Sequence, residues 1–337
     1  RISLCVVFCL SLSVLEPAEA VERVASRVPL FENLGTLHHP ITTRSKETQR
    51  YFDQGLRLVY AFNHEEAIRA FEEAARLDPS AAMAYWGIAL ALGPNINAGM
   101  DKTDERRAWE ALQKARSYSA HVTPAEQAYL QAISKRYSLK GPTRGALDKA
   151  YADAMRVLWK QFPEDPDAGA LFAEALMDLH PWDLWTVNGK PKSGTAEIVS
   201  TLEAVLARVP NHPGACHYYI HAMEASPTPE RALACAERLP ALMPGAGHLV
   251  HMPAHIHMRL GRYHEAAEQD AQAAEVDRHY LAGRASTGAE AEGYHQHNLH
   301  FLWASLLMEG RSAEAMKVAR QLTATMREAD IRRDSSQ

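Results

Sequence analysis

Two histidine pairs of identical spacing stand 34 residues apart in this chain: His217 and His221 in HYYIH, then His251 and His255 in HMPAH. A pair at i and i+4 shares one face of a helix. The same pair returning after 34 residues implies a repeating helical unit, which buries its apolar face only by stacking on its neighbours. Equivalent places in stacked units face the same way. The chain is thereby restricted to an all-α stack, and four imidazoles are predicted to converge on one of its surfaces.

From Ser45 onward the apolar period is 3.6 rather than 2, and no run reads as a strand. The clearest unit is TQRYFDQGLRLVYAFNHEEAIRAFEEAARLDP, with Gly55 at a close helix contact and Ala67, Phe71, Ala74 and Pro79 placing its second helix. Trp86 and Gly87 start the next unit, and Ala108, Leu112 and Ala115 complete it after the insertion GPNINAGM. Thr123-Pro124-Ala125-Glu126 is a capping box with proline at the first helical place, so a helix starts there. Helices are predicted at about 145–161, 167–180 and 194–208, around the insertion PWDLWTVNGKPKSG. Three further pairs follow: HPGACHYYIHAMEA with PERALACAERLPALMP, HLVHMPAHIHMRL with GRYHEAAEQDAQAAEVD, and HNLHFLWASLLMEG with SAEAMKVARQL. An insertion rich in Gly and Ala, Tyr280 to Tyr294, is expected before the last pair.

These landmarks, with Gly261, Gly310, the alanine ladders and the closing prolines, resemble the tetratricopeptide-repeat (TPR) family over roughly 45–330. The resemblance implies an α-solenoid of about seven helical hairpins, wound as a right-handed superhelix with a concave groove. For function it implies only a scaffold whose groove binds peptides or proteins.

The ends differ from this body. Residues 1–20 carry Arg1, an apolar run from Ile2 to Leu15 and the small-x-small sequence Ala18-Glu19-Ala20, which reads as a signal peptide cleaved after Ala20. The run is too short to span a bilayer as a helix. Residues 21–44, with Pro29 and Pro40, read as an extended arm; His38 and His39 fit a turn before Pro40. A periplasmic or secreted protein with no stable membrane span after cleavage is expected. The net charge of -5 gives no basic stripe for nucleic acid. Cys5 and Cys9 leave with the signal, and Cys216 and Cys235 fall at matching heights of one hairpin, either bridged or as two buried thiols.

Of 17 histidines, 12 lie between His212 and His300, which is too uneven for chance. By the resemblance, the second, fifth, ninth and twelfth places of each first helix line the groove. His217 and His251 take the fifth place, His221 and His255 the ninth, His248 and His297 the second, and His300 the fifth of the last unit. All seven are candidate metal ligands in a histidine-rich groove over 212–304. Glu224, in a twelfth place, is a candidate oxygen ligand or catalytic base. Trp182, Asp183 and Trp185 in the long insertion, with Asn95 and Asn97 in the earlier one, are candidate walls of a substrate pocket.

Imidazole-rich sites suit copper, zinc, iron or nickel. Export, and Met258 near a twelfth place, favour copper over zinc or iron. Tyr218 follows His217, so HExxH zinc-protease chemistry has no support. Six or more histidines exceed the four ligands of one structural ion. The sequence therefore points to a metal-dependent oxidoreductase acting on a small molecule in the groove. A peptide-binding scaffold, and periplasmic metal storage or delivery, are the competing readings.

Overall fold

The computed structural model describes residues 28–283 and 289–326. The reading of residues 1–20 as an export signal lies outside them. Among the described residues every regular element is helical, apart from two isolated bridges inside loops, Asn95 with Ala98 and Trp185 with Pro191. No described helix is long and apolar enough to cross a membrane.

The helices pair in chain order. The hairpins are α1 (Lys46–Tyr60) with α2 (His64–Leu77), α3 (Ala82–Ala91) with α4 (Lys102–Ser117), α5 (Pro124–Ile133) with α6 (Arg144–Gln161), and α7 (Pro166–Met177) with α8 (Thr195–Arg208). Next come α9 (Pro213–Met223) with α10 (Leu233–Leu242), a rod broken into α11 (Gly247–His251) and α12 (Pro253–Arg259) with α13 (Tyr263–Ala282), and α14 (Ala289–Met308) with α15 (Ser312–Thr325). Each helix packs on its successor, and the all-α solenoid of seven hairpins follows. The insertion expected from Tyr280 to Tyr294 is shorter than read, because α13 runs to Ala282 and α14 begins at Ala289. Alanine is the best helix former, and here it extends both helices. The rod of the sixth unit breaks at Pro253, which has no N–H to give the preceding turn.

Local signals behave as their chemistry requires. Thr123 accepts from the Glu126 N–H while Glu126 accepts from the Thr123 N–H at 2.8 Å. Phe71, fully buried on α2, sits between two glycines: a Cβ on Gly55 or on Gly87 would stand 2.5 Å from its ring. Absence of a side chain at both places lets α1, α2 and α3 close around one phenyl group. One continuous core runs from Leu34 to Ile256, and a smaller one joins Ala267, Leu299, Leu302 and Ala315 under the last hairpin. Cys216 and Cys235 are buried free thiols, and the Cys216 thiol donates to the Pro210 carbonyl at 3.6 Å.

The arm is stapled along α1 rather than left as a simple turn. Tyr51 Oη donates to the Val28 carbonyl at 2.8 Å, Gln54 holds Pro29 and Phe31, and the Gly245 N–H donates to the Asn33 carbonyl at 2.8 Å. His38 pairs with Asp53 at 2.8 Å. His39 reaches Asp167 at 2.7 Å, where Tyr60 Oη (2.6 Å) and His212 Nε2 (3.1 Å) share the other carboxylate oxygen. Burial opposes a charged His39, but the hydrogen bond and charge of Asp167 outweigh it and raise its pKa to about 9.

Two outcomes are expected. Gly55→Ala should destabilise the chain by about 1–3 kcal/mol through overpacking, and Phe71→Leu should cost less in that background than alone; denaturation midpoints of the four chains measure the coupling. The His39 contribution, on the order of 3 kcal/mol, is fully present below the unfolded histidine pKa. It is lost as pH rises through about 9. Thermal unfolding between those limits should show that decline in the parent chain and not in His39→Gln.

Candidate metal centre

The stack curls so that its first helix meets its ninth beside the histidines. The C-terminal end of α1 packs against α9, and the Ala61–Asn63 turn presses Phe62 among the histidines. Its ring centroid lies 4.5 Å from that of His217, 6.0 Å from His221 and 5.6 Å from His248. Phe62 holds φ 53°, a left-handed conformation that a bulky residue adopts at a cost. Among the described residues the other non-glycine with positive φ is Trp182, at 60°, whose indole stands edge-on to His221 at 5.2 Å. Both strained residues touch His221, and such strain gathers at functional sites.

Six of the seven predicted ligands converge in two groups of three. His217, His221 and His248 form one, and His251, His255 and His297 the other; within each, one nitrogen per ring lies within 4.8 Å of the others. The i, i+4 pair on α9 supplies half of this geometry. On the broken rod, His251 closes α11 and His255 lies just after the break at Pro253, and their Nε2 atoms stand 2.9 Å apart. His217 Nε2 and His248 Nε2 are 3.1 Å apart. In the ion-free chain one proton can bridge each of these contacts, where a cation would sit between two lone pairs.

The outer nitrogens are held. His217 Nδ1 donates to the Tyr60 carbonyl at 2.7 Å, so its Nε2 is the free donor to a metal. His251 Nδ1 meets the Asp270 carboxyl at 2.6 Å, both groups fully buried. His255 Nδ1 pairs with Glu224, whose other oxygen is 3.9 Å from His221 Nδ1. His221 is buried with no protein partner at hydrogen-bond distance for either nitrogen. Burial holds His217, His248 and His251 well below the usual imidazole range, and brings His297 to about 4 with help from the nearby His255. Neutral imidazole is the form that ligates.

Above the six rings opens a cavity of about 570 Å³ lined by His221, His248, His255 and His297, with Asn97, Trp182 and Tyr294. His217 and His251 are fully buried behind these rings and do not line it. Of the predicted pocket walls, Trp182 and Asn97 are in place, and Asn97 Nδ2 donates to Tyr294 Oη at 3.1 Å. The others serve elsewhere. Asp183 is exposed and paired with Lys192, Trp185 donates to the Ala222 carbonyl at 2.7 Å, and Asn95 is buried as the cap of its own turn.

Three expectations need correction. His300 is exposed and stacks on Trp303, because Asn298, Leu302 and Ser305 turn toward the neighbouring hairpin and leave His300 on the opposite side of α14. Glu224 stands behind His255 rather than in the cavity, so its place is that of a ring-orienting group, not a base. Burial opposes its charge, but His255 and His221 outweigh that and hold the carboxyl well below its usual range. Met258 sulfur accepts from Ser305 at 3.2 Å and does not face the cavity, which removes the thioether argument for copper.

Sequence reasoning missed Phe62, Tyr294, Phe301 and Asp270. Phe301 backs the second group with centroids 4.8, 4.6 and 4.7 Å from His251, His255 and His297. Asp270 had one available signal: it is a carboxylate in the midst of the alanine ladder of a second helix.

No family model and no curated protein matches the chain. Among solved structures, the TPR domain of P58(IPK) aligns over 82% of this chain and 73% of its own length, at 13% identity and a TM-score of 0.25. The fold thus stands on the helix order and packing given above. For the site, nitrogen-15 correlation spectra should show His217 still neutral and protonated on Nδ1 at the usual histidine pKa of about 6.5, because burial holds its own pKa well below that; a ring half-charged there would contradict this geometry.

Proposed function

We propose that this chain is a metalloprotein whose groove holds histidine-bound transition metal, and that it acts as a metal-dependent oxidoreductase with copper the favoured ion. The carrying observation is the convergence of six imidazoles, five of them buried, in two groups of three beside one cavity. An imidazole-only donor set does not suit magnesium or calcium, and among divalent ions copper binds such donors most tightly. Among the described residues no carboxylate lines the cavity, which weighs against a hydrolytic general base.

Each residue then has a task. Asp270, Glu224 and the Tyr60 carbonyl orient the ligand rings, Phe62 and Phe301 keep water from beneath them, and Trp182 and Tyr294 wall the space a small reductant would enter. Bound copper would supply one-electron chemistry at that place. The N-terminal run supports a periplasmic or secreted location as part of the same proposal, and storage or delivery of the ion would use the same ligands without turnover. A scaffold reading keeps one specific support, an open groove of about 560 Å³ between α5 and α6 that includes Ala128, Lys135, Asp153 and Val157.

Elemental analysis of untagged protein after reconstitution tests the proposal. Metal should load on the parent chain, and the double variant His251→Ala/His255→Ala should lose the ion held by that group, since two of its ligands are gone. Oxygen uptake with phenolic reductants should follow the copper content. A parent chain that stays metal-free would leave the scaffold reading; a loaded but inert one would leave storage.

A further inference from the structure

The two histidine groups are built alike but backed differently, and burial holds the Asp270 carboxyl behind the second well above its usual range. One phenyl ring lies under each, Phe62 under the first and Phe301 under the second. Behind the second group stand two carboxyl groups, Asp270 on His251 and Glu224 on His255. Behind the first stands a neutral carbonyl, that of Tyr60 on His217, with only the far oxygen of Glu224 at 3.9 Å from His221. A carboxylate hydrogen-bonded behind an imidazole makes the ring a stronger donor and offsets the charge of the ion it holds. A carbonyl does so weakly, and burying a doubly charged ion among neutral groups is costly.

The groups also adjoin. His221 and His255 have centroids 5.8 Å apart, His248 and His251 6.0 Å, and both groups give rings to the same cavity. An ion sits about 2.0–2.1 Å from an imidazole nitrogen, so each group can enclose its own ion while both ions face one small ligand in the cavity.

On the reading that the groove binds transition metal, we propose that the centre is dinuclear and unequal. His251, His255 and His297 take a divalent ion first, and His217, His221 and His248 take the second, preferring a univalent soft ion such as Cu(I). Phe62 and the Tyr60 carbonyl, both from the end of α1, complete the weaker site. The tighter site is complete within the last two hairpins and Glu224.

Anaerobic calorimetric titration of the metal-free chain with Zn(II), and separately with Cu(I), each with elemental analysis of the product, tests this. Two ions per chain are expected. With Zn(II) the first step should be tighter than the second by at least about tenfold, and with Cu(I) that gap should narrow. Asp270→Asn should weaken the first step by about 10–100-fold and leave the second in place. His217→Ala/His248→Ala should remove the second step alone. His297→Ala, at the cavity rim, repeats the Asp270 test should that variant fail to fold. One ion per chain, two equal steps, or an effect of Asp270→Asn confined to the weaker step would overturn the inference while leaving a metal centre standing. No bound ion at all would instead overturn the metal reading beneath it.

Discussion

The packing of the end of α1 against α9 is the contact on which the site depends. It brings Phe62 into the histidines, gives the Tyr60 carbonyl to His217 and, through Tyr60 Oη, ties the same helix to Asp167. Without it the first histidine group would face a wet groove rather than a dry wall. Water would then compete for the imidazole nitrogens, and the burial that keeps them neutral would be lost. Phe62 accepts a left-handed backbone at this turn, beside an asparagine that would adopt it more easily. The surrounding core compensates for the strain, and the ring is placed where the cluster needs an apolar backing.

The arm serves the same contact from outside. It runs along α1 from Val28, is held by Gln54 and Arg57, and reaches across to Gly245 in the turn before α11. Its His39 joins Asp167, Tyr60 and His212 in a buried network that couples the arm, α1, α7 and α9. All these polar atoms are satisfied by one another, and such a network specifies one arrangement of the four elements. The histidines of the cavity are the opposite case. His221 has no partner at hydrogen-bond distance among the described residues, and His217, His251 and His255 are held on their Nδ1 atoms, so that their Nε2 atoms are left to the cluster.

The repeat was legible because it is a local property. Helical period, capping box, Gly55 and Gly87 each act through near neighbours, and the seven hairpins follow from them. The convergence of His217, His221, His248, His251, His255 and His297 followed from the register, since equivalent places in stacked units share a face. The register erred at His300, because α14 turns its buried stripe toward the preceding hairpin at another angle. It also misplaced Glu224 and Met258, whose helical positions gave the direction of the side chain but not the neighbour that captures it.

By itself, then, the sequence determined an all-α solenoid and the gathering of imidazoles on its inner side, because both arise from periodicities of 3.6 and 34 residues. Only the tertiary structure decided that α1 packs against α9, that the histidines divide into two groups, and that Asp270 and Glu224 back one of them. Those features join residues far apart in the chain, such as Tyr60 with His217 across 157 positions. Contacts of that range depend on the accumulated twist of several hairpins, which no single repeat encodes.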